Sequence, residues 1–268
     1  MVVDLFGLDR LQWEVDHSVD VMRTYQPHDR PYYGCFSGGK DSCVIKQLAK
    51  MAEVNVEWYM NVTTIDPPEL MRFVKRVHPD VIWRKPKVNF FAIAEKRGFP
   101  TRRTRWCCEE FKESRNPPNS VLLMGVRSAE SARRKRTWKE AQATSYGFII
   151  NPILNWSDSQ VWQYIRYHGV PYCNLYDEGF KRLGCVGCPM ARLKGRMKEF
   201  KRWPHFERRW KALFQSVWER KTGSTQRDGR VWFGDRYFEN WEQMWAWWLN
   251  NEPLKKDDEC QGILDFYA

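Results

Sequence analysis

No run of about 18 apolar residues occurs in this chain of 268, so no membrane-spanning helix is expected. The start, Met1-Val2-Val3-Asp4-Leu5-Phe6, lacks the basic region and long apolar core of a secretory signal, and a cytoplasmic protein is expected. Internal repeats are missing, which excludes a solenoid or propeller. Low-complexity segments are missing too. Acids are outnumbered, 33 Asp and Glu against 44 Lys and Arg, for a formal net charge of +11. That excess suits a polyanionic partner or an anionic substrate, although basic helices facing solvent give the same balance. Cysteine is not scarce. Eight cysteines in a cytoplasmic chain argue against a disulfide scaffold and for metal or redox chemistry. The length allows one large α/β domain with a small appendage.

The most informative stretch is Ser37-Gly38-Gly39-Lys40-Asp41-Ser42, entered from Tyr32-Tyr33-Gly34-Cys35-Phe36. It reads as a strand turning through two glycines into a helix near Lys40, continued by Val44, Ile45, Leu48, Ala49 and Met51 at helical spacing. Such a turn presents backbone N–H groups and the positive end of a helix dipole, where a phosphate is the natural occupant. Gly38 and Gly39 allow close approach; Ser37 and Ser42 add hydroxyls and Lys40 a cation. The Walker pattern Gly-x-x-x-x-Gly-Lys-Ser/Thr is not met. The six residues instead resemble the PP-loop of the ATP pyrophosphatases, the adenine nucleotide alpha hydrolases. That resemblance implies cleavage of ATP between its alpha and beta phosphates.

The cysteines form two pairs. Cys107 and Cys108 are adjacent, and Cys185 and Cys188 stand in Gly184-Cys185-Val186-Gly187-Cys188-Pro189. Together they make a four-thiolate set. Zinc sites usually draw on two Cys-x2–4-Cys knuckles, which adjacent cysteines fit poorly. Iron–sulfur clusters are held by thiolates, and neighbouring cysteines can serve neighbouring irons. A 4Fe-4S cluster, zinc and unliganded thiols are the three readings. The spacing resembles the 4Fe-4S pattern of adenylylsulfate reductases and their relatives. Cys35, Cys43 and Cys173 read as small apolar residues.

Along the chain, a helical preface before residue 30 is followed by strand-like runs at 31–36, 54–60, 80–84, 120–126 and 147–153, mostly separated by helices. This predicts a largely parallel sheet with ligands beyond its carboxyl ends. Pro67-Pro68 is expected to open a helix. Arg102, Arg103 and Arg105 precede the cysteine pair, where they can offset thiolate charge. Arg127, after the strand ending in Met124-Gly125, is a candidate phosphate contact. Ser157 with Gln160 reads as a capping box.

These elements occur in order with Asn151-Pro152-Ile153, Trp156-Ser157-Asp158 and Leu175-Tyr176-Asp177-Glu178-Gly179 leading into the second cysteine pair. Over about residues 30 to 190 the chain resembles the phosphoadenosine phosphosulfate reductase superfamily. The resemblance implies a PP-loop fold and a cluster near the nucleotide. Two departures matter. Sulfonucleotide reductases generally have a degraded loop, whereas residues 37–42 are intact, as in the ATP pyrophosphatases of DNA phosphorothioation and the cluster-bearing tRNA thiolases. The reductases also carry a nucleophilic cysteine in Glu-Cys-Gly-Leu/Ile-His, whereas this chain reads Glu259-Cys260-Gln261-Gly262-Ile263-Leu264.

Residues 192–211 interleave nine cations with Phe200, Trp203, Phe206 and Trp210, a mixture suited to stacking on bases and tracking phosphates. The run Trp241, Met244, Trp245, Trp247, Trp248 reads as packed core. The expected organisation is a PP-loop α/β domain over residues 1–190, including the four-cysteine site, and a helical basic region over 191–268. The expected function is ATP cleavage to AMP and pyrophosphate. Ser37, Gly38, Gly39, Lys40, Asp41, Ser42 and Arg127 hold the nucleotide with Mg2+, and Asp41 holds the metal or orients the helix start. Cys107, Cys108, Cys185 and Cys188 hold the cluster. The acceptor is DNA or RNA, with a cysteine desulfurase as sulfur donor. One alternative is reduction of adenylyl sulfate or its 3′-phosphate by Cys260, with thioredoxin as reductant. Another is a non-catalytic nucleotide-sensing or DNA-binding regulator.

Overall fold

The computed structural model describes residues 10–113, 116–144, 147–222, 231–233 and 236–250. They form two compact units, each drawn from several stretches of chain. The first comprises Met1–Val62, Asp66–Lys85 and Glu110–Gly184; the second comprises Thr63–Ile65, Pro86–Glu109 and Cys185–Ala268.

The first unit is built on a six-stranded sheet. Its strands are β1 (Tyr32–Cys35), β2 (Val56–Asn61), β3 (Ile82–Arg84), β4 (Val121–Leu123), β5 (Ala141–Thr144) and β6 (Gly147–Ile150), in the order β3-β2-β1-β4-β6-β5. Neighbours run parallel except β5, which pairs antiparallel with β6. Tyr32 and Tyr33 are buried on opposite faces of β1. Gly34 opposes Trp58 in the neighbouring strand, and a Cβ there would drive into the Trp58 ring. The expected parallel sheet is present. β5 is an addition to it: Ala-Gln-Ala-Thr is short and carries no large apolar side chain, as an edge strand with largely half-exposed side chains allows.

Helix α1 (Arg10–Thr24) turns Val15, Val19 and Met22 inward. Its Arg23 donates through Nε to the Ala52 carbonyl, 3.1 Å, at the end of α2 (Lys40–Ala52). Helix α3 (Pro68–Val77) starts at Pro68, as its ring geometry favours, and closes at His78. The expected capping box opens α7 (Asp158–Tyr167), with Ser157 and Gln160 bonded reciprocally. The six-residue α6 (Ala132–Thr137) carries the exposed cations Arg133, Lys135 and Arg136.

The second unit is helical: α4 (Phe90–Arg97), α8 (Leu193–Arg202), α9 (Pro204–Thr222) and α10 (Trp241–Asn250), with the antiparallel pair β7 (Val231–Phe233) and β8 (Arg236–Phe238). The short α5 (Trp106–Phe111) begins in it. Its core is aromatic: Phe99 stacks on Phe214 at 4.0 Å, and Trp210 meets Trp248 at 4.8 Å and Phe90 at 5.1 Å. The core reading of the α10 tryptophans holds, with Trp245, Trp247 and Trp248 buried. The base-stacking reading of residues 192–211 does not. Phe200, Trp203, Phe206 and Trp210 are all buried, and among the nine cations Arg196 is buried too. Hydrophobic burial claims rings recurring on one face of two packed helices, and leaves most of the cations exposed.

Candidate functional site

In the first unit the strand order reverses between β1 and β4, and the carboxyl ends of strands at such a reversal are where α/β sheets place their ligands. The loop after β1 is residues 36–39. Gly38 takes φ +71°, in the left-handed region that favours glycine, and a Cβ there would stand 2.7 Å from Val74 Cγ2. Gly39 occupies the cap position of α2 and has no side chain to cap that helix start. The loop is tied internally. Gly39 N–H donates to Ser37 Oγ at 3.3 Å, and Ser42 Oγ donates to the Gly39 carbonyl at 2.8 Å. The Lys40 N–H donates to the Tyr176 hydroxyl at 3.0 Å. Burial pushes the Tyr176 phenol above its ordinary pKa, so it remains neutral.

The loop after β4 closes on the same point. A Cβ on Gly125 would lie 3.2 Å from the Asp41 carbonyl carbon, so this glycine permits the approach. Arg127 follows, 3% exposed, with a three-way fork. Nε donates to Asp41 Oδ1 at 2.6 Å, Nη2 to Asp158 Oδ1 at 3.0 Å, and Nη1 to the Trp156 carbonyl at 3.3 Å. Lys40, 4% exposed, sits between the same two carboxylates, 3.1 Å from Asp41 Oδ2 and 3.1 Å from Asp158 Oδ1. Burial works against the Asp158 carboxylate, but Lys40 and Arg127 outweigh it and hold its pKa below the usual value. Two buried cations thus stand at a helix start whose cap residue is a glycine, an arrangement that can hold an anion.

The structure brings Ser37, Gly38, Gly39, Lys40, Asp41, Ser42 and Arg127 together at this point. Asp158 and Tyr176 complete the set, and sequence reasoning had not assigned either to it. Burial raises the Cys35 and Cys43 thiols to about 12, which suits their reading as inert packing groups.

The second unit holds all four paired cysteines. Cys107 and Cys108 lie on α5, and the Cys108 N–H donates to the Arg105 carbonyl at 2.9 Å. The loop 185–188 is fixed by its backbone. Val186 N–H donates to the Ile65 carbonyl at 2.8 Å, Trp210 Nε1 donates to the Val186 carbonyl at 3.1 Å, and Gly187 N–H donates to Glu199 Oε2 at 2.8 Å. Gly187 takes φ +77°, and a Cβ there would collide with the Trp210 indole. The α9 tryptophan that looked like a base-stacking residue is therefore the seat of the cysteine loop. All four cysteines are half-buried. A hydrogen bond with Cys108, then burial, then the charges of Cys108, Cys185 and Cys188 raise the Cys107 pKa. Among the described residues no three His, Cys, Asp or Glu side chains are arranged to hold a single metal ion. Cys260 lies outside the described residues.

The chain is similar to several known proteins. An uncharacterised protein of Methanocaldococcus jannaschii is 36% identical over 171 residues, 58% of this chain and 41% of that protein. An adenosine 5'-phosphosulfate reductase of Salinibacter ruber is 36% identical over 100 residues, 35% of this chain and 40% of the reductase. The chain spans about two fifths of the length of these relatives. A phosphoadenylyl-sulfate reductase from Candida auris, solved with phosphate, overlays with a TM-score of 0.49 at 20% identity, covering 70% of this chain and 98% of that one. The phosphoadenosine phosphosulfate reductase domain family matches residues 32–191, which take in the loop after β1, Arg127, Asp158, Tyr176 and both cysteine pairs. By that match over more than half its length, the chain belongs to the phosphoadenosine phosphosulfate reductase domain family.

Proposed function

We propose that this chain binds Mg-ATP over the turn between β1 and α2, cleaves it to AMP and pyrophosphate, and so activates a nucleic-acid acceptor for sulfur transfer. The observation that carries this reading is the pair of buried cations, Lys40 and Arg127, fixed between Asp41 and Asp158 at the start of α2. The acceptor's nucleophile attacks the alpha phosphorus, a new bond forms there, and the bond to the bridging oxygen of the beta phosphate breaks. Pyrophosphate leaves with the electron pair, the acceptor keeps the adenylyl group, and AMP leaves with its electron pair when the donor's sulfur nucleophile displaces it from the acceptor. Negative charge grows on the departing group, where fixed N–H groups and cations stabilise it without reorganising. Both Asp41 oxygens are already engaged with Arg127 and Lys40, so Asp41 positions cations, and Mg2+ enters with the nucleotide.

In this reading Cys107, Cys108, Cys185 and Cys188 hold a 4Fe-4S cluster. The fit rests on four thiols gathered in one unit. When bound, the cluster would supply electron or sulfur handling. The exposed cations of α8 and α9 support a polyanionic acceptor met through its phosphates. A cysteine desulfurase would supply the sulfur.

A second reading, reduction of adenylyl sulfate or its 3′-phosphate to sulfite by Cys260 with thioredoxin, is favoured by relatives named adenosine 5'-phosphosulfate reductase. A regulator that binds nucleotide without turnover is the third. Two substitutions separate them. Lys40→Ala is expected to abolish AMP release while Cys260→Ser leaves it intact. Retained AMP release in Lys40→Ala contradicts the first reading. Sulfite formation lost in Cys260→Ser supports the second, and neither product from either substrate supports the third.

A further inference from the structure

The two cations at the start of α2, Lys40 and Arg127, are answered by two carboxylates, Asp41 and Asp158. As it stands the cluster is balanced, and an incoming anion must win a cation from a carboxylate that already holds it. The two carboxylates are held differently. Asp41 uses both oxygens, Oδ1 on Arg127 Nε and Oδ2 on Lys40 Nζ, and its side chain is 22% exposed. Asp158 meets both cations through Oδ1, at 3.0 Å from Arg127 Nη2 and 3.1 Å from Lys40 Nζ, and its side chain is 65% exposed. Of the four groups Asp158 is the one that stands in solvent, so an anion arriving from water meets the cations at Asp158 Oδ1.

Asp158 is also the easier carboxylate to release. It is the first residue of α7, and the positive end of that helix favours its charge whether or not it touches the cations. Asp41 would give up contacts on both oxygens. The same stretch of chain holds the other donor of Lys40. The Lys40 N–H donates to the Tyr176 hydroxyl, and Trp162, one turn beyond Asp158, packs edge-on to the rings of Tyr176 and Tyr172, each at 5.2 Å. The ammonium and the N–H of Lys40 are thus both occupied from residues 158–176.

We propose that Asp158 is a built-in occupant of the phosphate position, displaced from Lys40 and Arg127 when a nucleotide binds, and that it thereby determines which anions the site accepts. The proposal rests on the reading that these cations meet the phosphates of a nucleotide. A carboxylate on the same chain competes as an intramolecular ligand, at an effective concentration on the order of millimolar. A lone phosphate or sulfate gains little more than the contacts Asp158 gives up, so it stays out. A polyphosphate adds contacts along the turn at the helix start and wins the exchange.

The test is calorimetric titration of the full chain with two probes, inorganic phosphate and pyrophosphate, as wild type, Asp158→Asn, Asp158→Glu and Asp177→Asn. Asp177 is an exposed carboxylate next to Tyr176 that accepts from the Tyr172 hydroxyl at 3.0 Å, so its removal reports loss of a nearby charge without loss of the place-holder. Asp158→Asn is expected to bind both probes about tenfold more tightly than wild type, a modest share of the cost of opposing like charges in contact. Asp158→Glu keeps the carboxylate and is expected to stay within a few-fold of wild type. In crystals of wild type with pyrophosphate, Asp158 Oδ1 is expected beyond hydrogen-bond distance of both cations. Asp158→Asn that binds the probes no more tightly than wild type, or gains no more than Asp177→Asn, overturns the proposal while Mg-ATP binding by wild type leaves the nucleotide reading standing. Asp158 Oδ1 still on both cations beside a bound pyrophosphate overturns it too, even where Asp158→Asn does not fold. Wild type that binds neither pyrophosphate nor Mg-ATP overturns the nucleotide reading, and this proposal with it.

Discussion

Arg127 makes three directed bonds from one planar group, to Asp41, Asp158 and the Trp156 carbonyl. A lysine keeps the charge but not the fork. Under the proposed function Arg127→Lys should bind ATP within a few-fold of wild type yet lower the rate of AMP release about 100-fold, the scale of losing an electrostatic contact to developing charge. Single-turnover kinetics beside equilibrium nucleotide binding check this, and an unchanged rate would remove Arg127 from the machinery. At this scale the sequence was informative where a residue type is demanded locally. Gly38, Gly39 and Lys40 announce a turn into a helix, and Arg127 follows a strand end. Tyr176, 136 residues beyond Lys40, and Asp158 were quoted within motifs but given no role. Only the fold brings them to Lys40, and at the start of α7 a carboxylate reads as an ordinary helix-dipole partner.

Helix α3 ends in a buried knot that is absent from the linear pattern. His78 closes that helix, with Nδ1 3.4 Å from Lys46 Nζ and Nε2 3.8 Å from Cys43 Sγ, and Lys46 pairs with Asp80 at 2.6 Å. Burial, reinforced by Lys46, lowers the His78 pKa to about 4. The unfolded chain therefore binds this proton more readily than the folded one, and stability is present above the ordinary value of about 6.5 and lost as pH falls toward 4. Between pH 6.5 and 5 this group should remove about 2 kcal/mol. Urea unfolding of wild type and His78→Gln at both pH values checks it, the variant showing the shallower loss. Equal losses would mean that His78 does not carry the acid sensitivity. Among elements, the capping box at Ser157 and the proline start of α3 were legible, because side-chain chemistry dictates both. β5 was not, since edge pairing is supplied by the partner strand.

On the scale of the whole molecule, the sequence reading drew one boundary near residue 190, while the compact units interleave, three stretches contributing to each. The cysteine segments 86–109 and 185–188 share a unit with the C-terminal helices because Trp210 and Glu199 bond directly to the cysteine loop. That pairing of distant stretches leaves no periodicity or composition signal. It also explains why the aromatic residues of 192–211 were misread. The same residue types serve a base-stacking surface and a helical core, and only packing distinguishes them. The basic outer face that remains suits contact with phosphates rather than bases. The central claim is that the buried cations at the start of α2 serve phosphoryl chemistry on ATP. The most direct measurement is release of AMP and pyrophosphate from Mg-ATP by anaerobically purified wild type, with and without nucleic acid. The account predicts pyrophosphate release that is faster when nucleic acid is present, with equimolar AMP once a sulfur donor is added. A cluster-replete protein that binds ATP but releases neither product would contradict it.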